Sequence, residues 1–125
     1  MARRKLSTDD LAQIEELAKQ WGKIIVAETF GEEGPGLDVD LAMMEEAAVA
    51  AARGLTAGTL EEATRRQGER FGATQACPDC GTDCDIRYAS RPITVRGGRF
   101  EHEEPVAHCP RCRRDFFPSA SRVEA

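Results

Sequence analysis

With 125 residues, 41% of them apolar but only 6% aromatic, the chain has material for one small domain, or two smaller ones, and for a modest core. No apolar run approaches the roughly 20 residues of a bilayer-spanning helix, and the basic start Met1-Ala2-Arg3-Arg4-Lys5 leads into no apolar segment. A membrane span and a secretory signal are therefore not expected, and the protein is expected to be soluble and cytoplasmic. The net charge of −5 resides in residues 1–76, with 9 basic against 14 acidic side chains; residues 77–125 balance 8 Arg against 8 acidic groups and contain no Lys, so the chain lacks the broad positive field of a typical nucleic-acid binder.

Ser7-Thr8-Asp9-Asp10 supplies candidate helix caps and negative charge where a helix N-terminus favours it. Behind it Leu11, Ile14, Leu17, Ala18, Trp21, Ile24 and Ile25 recur at spacings of three and four, the stripe of an amphipathic helix. Core packing is the expected use of that stripe, with Trp21 as an anchor; a dimer or partner surface is the alternative. Gly31-Glu32-Glu33-Gly34-Pro35-Gly36 ends this helix. A second helix is predicted over residues 39–53, capped by Asp38, with Leu41, Met44, Ala48 and Ala51 on its inner face and Gly54 as its stop. Thr59-Leu60-Glu61-Glu62 reads as a capping box opening a third helix over 59–70, which Gly68 and Gly72 weaken at its end.

After a linker at 71–75 the periodicity changes. Ile86, Tyr88, Ile93, Val95 and Phe100 are spaced for short strands, interrupted by Pro92 and by the turn Arg96-Gly97-Gly98-Arg99. The expected fold class is α+β: a helical region at 1–74, of about three helices, followed by a small β-hairpin domain at 75–125.

All five cysteines lie in that second part: Cys77, Cys80, Cys84, Cys109 and Cys112. An odd count with no signal peptide argues for metal ligation and against a disulfide framework. Cys77-Pro78-Asp79-Cys80-Gly81 and Cys109-Pro110-Arg111-Cys112 are two C-x-x-C knuckles, each able to aim two sulfurs at one ion, and a hairpin between them would complete a tetrahedral thiolate site. Four thiolates with no open position favour one structural zinc ion, and such an ion would staple a segment short of apolar residues. Iron, held as in a rubredoxin-like electron carrier, is the rival. Cys84 is expected to be no ligand, because both knuckles are complete without it; His102 and His108 are expected on the surface or on strands.

Arg87, Arg91, Arg96 and Arg99 lie along the predicted hairpin, and Arg111, Arg113 and Arg114 on and after the second knuckle, just before Phe116-Phe117. Arginines interleaved with aromatics suit phosphate contacts and base stacking, and pairing with Glu101, Glu103, Glu104 and Asp115 is the equal alternative. No Ser-His-Asp order, phosphate loop or histidine-carboxylate metal motif is present. The carboxylate pairs, such as Asp9-Asp10 and Glu45-Glu46, fall at helix starts or on solvated helix faces, so catalysis is not expected.

The run Cys77-Pro-Asp-Cys-Gly81, then Arg91-Pro-Ile-Thr-Val-Arg-Gly-Gly98, then His108-Cys-Pro-Arg-Cys-Arg-Arg-Asp-Phe-Phe-Pro118 resembles the N-terminal region of Kra-type insertion-sequence transposases. There a CPxCG knuckle, a Thr-x-x-Gly strand and turn, a CPxC knuckle and a Phe-Phe-Pro segment follow in this order. The preceding Gly31–Gly36 run and helical segments are also similar, so the likeness spans most of the chain. It implies zinc ligation by Cys77, Cys80, Cys109 and Cys112, and a role in recognising transposon DNA or in assembling the transposase. The partners it implies are DNA, a second copy, or a full-length transposase. Arg96, Arg99, Arg111, Arg113 and Arg114 become the candidate phosphate contacts. The family commonly has Leu-Asp after the final Pro, where this chain has Ser119-Ala120. Its RNase-H-like catalytic domain has no counterpart here, so strand cutting is not expected of this polypeptide. The reading without nucleic acid is a zinc-stabilised protein-interaction module.

Overall fold

The computed structural model describes residues 5–119, an α+β chain with a helical N-terminal part followed by a four-stranded antiparallel sheet. Two compact units, Met1–Ala51 and Ala52–Ala125, divide it, the division falling within the third helix.

In the first unit, Ser7 caps α1 (Thr8–Gln20) through a reciprocal capping box: its hydroxyl accepts from the Asp10 N–H at 3.0 Å, and the Asp10 carboxylate accepts from the Ser7 N–H at 2.9 Å. Those bonds to Ser7 hold the Asp10 carboxyl below its ordinary range. Trp21 keeps helical angles and α2 (Gly22–Phe30) follows directly, so the two form one helical stretch with an irregularity at a single residue. Gly31, at φ 92°, ends it. The next helix, α3 (Leu41–Glu69), starts from Asp40, not Asp38: the Asp40 carboxylate accepts from the Met43 N–H at 2.9 Å.

Two helical stretches therefore stand where three helices were expected. α3 runs through Gly54 and Gly58 without a break, and Thr59 lies inside it instead of capping a new one. A glycine within a helix costs only about 1 kcal/mol, and the good helix formers Leu55, Ala57, Leu60, Glu61 and Glu62 follow with no proline among them. Gly54 is a weak point, not a stop.

The expectation that the first apolar stripe packs into a core is not met. No residue of α1 or α2 is buried, and Leu11, Ile14, Leu17, Trp21 and Ile24 are each about half exposed, at 49–60%.

The second unit carries the core. Strands β1 (Thr74–Ala76), β2 (Asp83–Val95), β3 (Gly98–Cys109) and β4 (Arg114–Phe116) lie side by side in chain order. β2 and β3 form one long hairpin, in register from Ile86↔Ala107 to Val95↔Gly98, around the two-residue turn Arg96-Gly97 with Gly97 at φ 82°. Pro92, expected to interrupt a strand, lies within β2 opposite Glu101. Beyond Asp85 β2 has a partner on one side only, and an edge strand tolerates proline. The end of α3 is tied to this sheet: the Tyr88 hydroxyl donates to the Gly68 carbonyl at 3.1 Å, and the Glu101 N–H donates to the Glu61 carboxylate at 3.4 Å.

Candidate metal centre

The two knuckles occupy equivalent connections. The first, Cys77 to Cys80, begins the link from β1 to β2; the second, Cys109 to Cys112, begins the link from β3 to β4. Because β2 and β3 are in register, both links fall at the end of the hairpin away from its turn. Each knuckle closes on itself in the same way. The Gly81 N–H donates to the Cys77 carbonyl at 2.9 Å, and the Arg113 N–H to the Cys109 carbonyl at 2.7 Å.

This geometry brings the sulfurs of Cys77, Cys80, Cys109 and Cys112 within 4.8 Å of one another. Across the knuckles, Cys77 Sγ lies 3.8 Å from Cys112 Sγ and Cys80 Sγ lies 3.6 Å from Cys109 Sγ. A tetrahedral site with metal–sulfur bonds of about 2.3 Å has sulfur–sulfur edges of about 3.8 Å. The donor set and its spacing fit a four-thiolate metal ion.

The surroundings prepare the sulfurs for negative charge unequally. Thr82 Oγ1 lies 3.1 Å from Cys80 Sγ and donates to it as a thiolate; with the Thr82 N–H it brings the Cys80 thiol down to about 6. The Cys112 N–H donates to Cys109 Sγ at 3.3 Å and lowers that thiol too. Cys112 is pushed the other way, up to about 12, by its hydrogen bond with Cys80 and by burial. Without a cation, the four thiols cannot all ionise easily at such short range: Cys80 and Cys109 are lowered, and Cys77 and Cys112 are raised.

Cys84 stays outside this set. It is 2% exposed, its thiol donates to the Thr82 carbonyl at 3.2 Å, and burial raises it to about 11. The same Thr82 carbonyl accepts from the Cys77 N–H at 2.8 Å. Cys77, Cys84, Ala107 and Cys109 form the buried cluster, with Cys80, Ile86, Cys112 and Phe116 packed against it. The four clustered cysteines thus lie in or against this buried cluster, and Phe100, Pro105 and Val106 are buried further along β3.

No protein-family model, curated protein or solved structure matches this chain.

The five candidate arginines are not gathered into one place. Arg111, Arg113 and Arg114 lie on or just after the second knuckle, whereas Arg96 lies in the hairpin turn and Arg99 just after it, about 30 Å away along the strand. All five are exposed. Arg114 pairs with Asp79 of the first knuckle, Arg87 with Asp115 at 3.4 Å, and Arg91 with Glu104 at 2.7 Å. Among the described residues, Arg96, Arg99, Arg111 and Arg113 form no ion pair.

Both histidines fall on β3, at opposite extremes of exposure. The His108 ring is exposed, its Nδ1 2.8 Å from the Asp115 carboxylate. His102 is buried against Phe100, with its Nδ1 lacking a partner among the described residues. Neither is among the four clustered ligands.

Sequence reasoning missed Thr82, which serves three cysteines, and the Asp79–Arg114 pair joining the knuckles. A hydroxyl two residues after Cys80 was the available signal for the first; nothing in the sequence marked the second.

A separate cavity of about 450 Å³ lies between the second half of α3 and the hairpin, lined by Glu61, Glu62, Thr64, Arg65, Ser90, Glu101 and Glu103. Three of its four carboxylates are engaged, Glu101 by the Ser90 hydroxyl at 3.2 Å. Glu62 accepts from Arg65 and Arg66 at 2.6 and 2.7 Å, which holds it down at about 2, and Glu61 accepts from the Glu101 backbone. Among the described residues, no helix is long and apolar enough to cross a membrane.

Proposed function

We propose that this chain is a non-catalytic zinc-ribbon module of a transposase-like protein, acting in DNA binding or in transposase assembly. The observation that carries the reading is the convergence of Cys77, Cys80, Cys109 and Cys112 within 4.8 Å at one end of a hairpin. Zinc suits this closed, all-thiolate set, two of its sulfurs buried and two half-buried, which leaves no position for a substrate. Bound there, it would supply folding free energy to a unit that otherwise buries few large side chains, Phe100 and Val106 among them. Iron would fit the same sulfurs, and elemental analysis of the purified protein separates the two.

The DNA-binding part of the reading rests on Arg96, Arg99, Arg111 and Arg113, which are exposed and form no ion pair among the described residues, and on the order of the motifs. Arg114 is the weaker candidate, since Asp79 already engages it. The test is a gel-shift of the zinc-loaded chain with short duplexes at rising salt. Affinity is expected to fall steeply with salt and to drop further in Arg111→Ala with Arg113→Ala. Absence of binding at low salt, or binding indifferent to salt, would defeat the nucleic-acid role. The acidic, apolar helices, with no buried residue in α1 or α2, favour a second reading, a zinc-stabilised protein-interaction module.

A further inference from the structure

The four clustered sulfurs differ in what donates to them. Cys77 accepts from the Cys80 N–H, Cys109 from the Cys112 N–H at 3.3 Å, and Cys80 from the Thr82 hydroxyl, 3.1 Å away. Cys112 has no such donor: among the described residues, the groups that reach its sulfur are the other cysteines, Cys77 at 3.8 Å among them. The chain beyond each knuckle explains the difference. Thr82 stands two residues after Cys80, whereas the matching place after Cys112 is Arg114, whose guanidinium pairs with Asp79. Access divides the four as well. Cys77 and Cys109 are buried, while Cys80 and Cys112 are half-buried.

We propose that Cys112 is a modification site of the metal-loaded protein, the sulfur at which a soft carbon electrophile such as an alkyl halide attacks. This rests on the metal reading above, because a bound cation is what holds all four sulfurs as thiolates at neutral pH. Among thiolates held alike, reactivity follows the electron density left on sulfur, and a donated hydrogen bond withdraws part of it. Burial and N–H donors protect Cys77 and Cys109, and the Thr82 hydroxyl damps Cys80. Cys84 does not compete: it is 2% exposed, and its thiol donates to the Thr82 carbonyl. Cys112 alone combines access with an undamped lone pair. In the step, that lone pair forms the sulfur–carbon bond, the carbon–halogen bond breaks, and halide leaves with its electrons; no proton moves. The sulfur is left as an uncharged thioether, a poor metal ligand, so three thiolates remain and the site opens.

The test is limited labelling of the full zinc-loaded chain with a single equivalent of iodoacetamide at neutral pH, the metal content having first been fixed by elemental analysis. The reaction is stopped in acid at low conversion, the label is located by peptide mass spectrometry, and metal release is followed with a chromogenic chelator. Cys112 is expected to carry most of the label, with metal released in step. Thr82→Val is expected to raise the labelling rate at Cys80 roughly tenfold, the worth of one hydrogen bond to a charged group, while Cys112 keeps its rate. Thr82→Ser, which retains the hydroxyl, is expected to keep the parent's pattern. Label led by Cys77, Cys80, Cys84 or Cys109, or shared evenly between Cys80 and Cys112, would overturn the proposal whatever the variants do. An unchanged rate at Cys80 in metal-loaded Thr82→Val would overturn the damping assigned to Thr82, and the proposal with it. A parent that takes up no metal removes the metal reading and this inference together; a full complement of metal with the label elsewhere removes this inference alone.

Discussion

Gly81 and Arg113 occupy the same place in the two knuckles. Each follows the second cysteine of its pair, each closes the turn onto the first cysteine's carbonyl, and each lies in the left-handed region, Gly81 at φ 77° and Arg113 at φ 58°. Glycine adopts that conformation freely, whereas a residue with a Cβ is strained there by about 1–2 kcal/mol. Arg113 is the one described non-glycine residue at positive φ. Arg113→Gly is therefore expected to raise the stability of the protein by about 0.5–1 kcal/mol, after the added freedom of the unfolded chain is offset. Arg113→Ala, which keeps the Cβ, is expected to give no such gain. Thermal melting of both variants checks this, and a gain in the alanine variant would refute it.

Replacing any one of Cys77, Cys80, Cys109 or Cys112 with Ser is expected to abolish stoichiometric metal binding and to loosen the sheet, because three thiolates no longer close the site. Cys84→Ala should retain one ion per chain and lose only packing around a buried thiol. Elemental analysis with near-ultraviolet circular dichroism distinguishes the two outcomes; loss of metal from Cys84→Ala would make that sulfur a ligand.

The thiols set a pH dependence whose sign can be worked out. Cys80 titrates at about 6 in the folded metal-free protein, against 9.0 as its ordinary value. Between these values the unfolded chain holds a proton that the folded one has released, so stability rises with pH across the window and is lost as pH falls through about 6. Cys112 and Cys84, raised to about 12 and 11, act oppositely and remove stability above pH 9.0. Denaturant titrations of the metal-free protein should find its maximum near pH 9, between these limits. Metal uptake at neutral pH should release protons, and the apparent affinity should fall as pH falls. Calorimetry in buffers of different ionisation heat reads that release directly.

Tyr88→Phe removes the hydroxyl that holds the Gly68 carbonyl at 3.1 Å. The expected loss is about 0.5–1.5 kcal/mol, with faster amide exchange around Gly68 and unchanged metal content. Unchanged exchange at Gly68 would mean that this bond does not anchor α3.

The Asp79–Arg114 pair joins the knuckles but is about half exposed, with side chains 49% and 63% accessible. Asp79→Asn should therefore shift stability by less than about 1 kcal/mol. If DNA is bound, the same change should strengthen binding by freeing Arg114, whereas Arg114→Ala should weaken binding less than Arg113→Ala does. A gel-shift series at fixed salt ranks the three.

Local patterns determined a good deal. Two C-x-x-C knuckles on either side of a hairpin signal specified which sulfurs meet, because a tight turn and a two-stranded register leave few other arrangements. The capping box at Ser7 and the stop at Gly31 were equally legible, since each acts over a few residues. What depended on balance was not. Gly54 signals a stop, but one glycine in a run of good helix formers loses to the continuing helix. Pro92 signals a break, but it costs little where β2 has a partner on one side only. Periodicity identified the apolar side of α1 and α2 without saying what covers it, because a 3.6-residue repeat encodes a direction and not a neighbour. The arginines likewise differ only in three dimensions: Arg114 has a carboxylate within reach, contributed from 35 residues earlier in the chain, and Arg113 pairs with none among the described residues. Pairings over such separations are set by the folded register of β2 on β3, which places the two knuckles side by side.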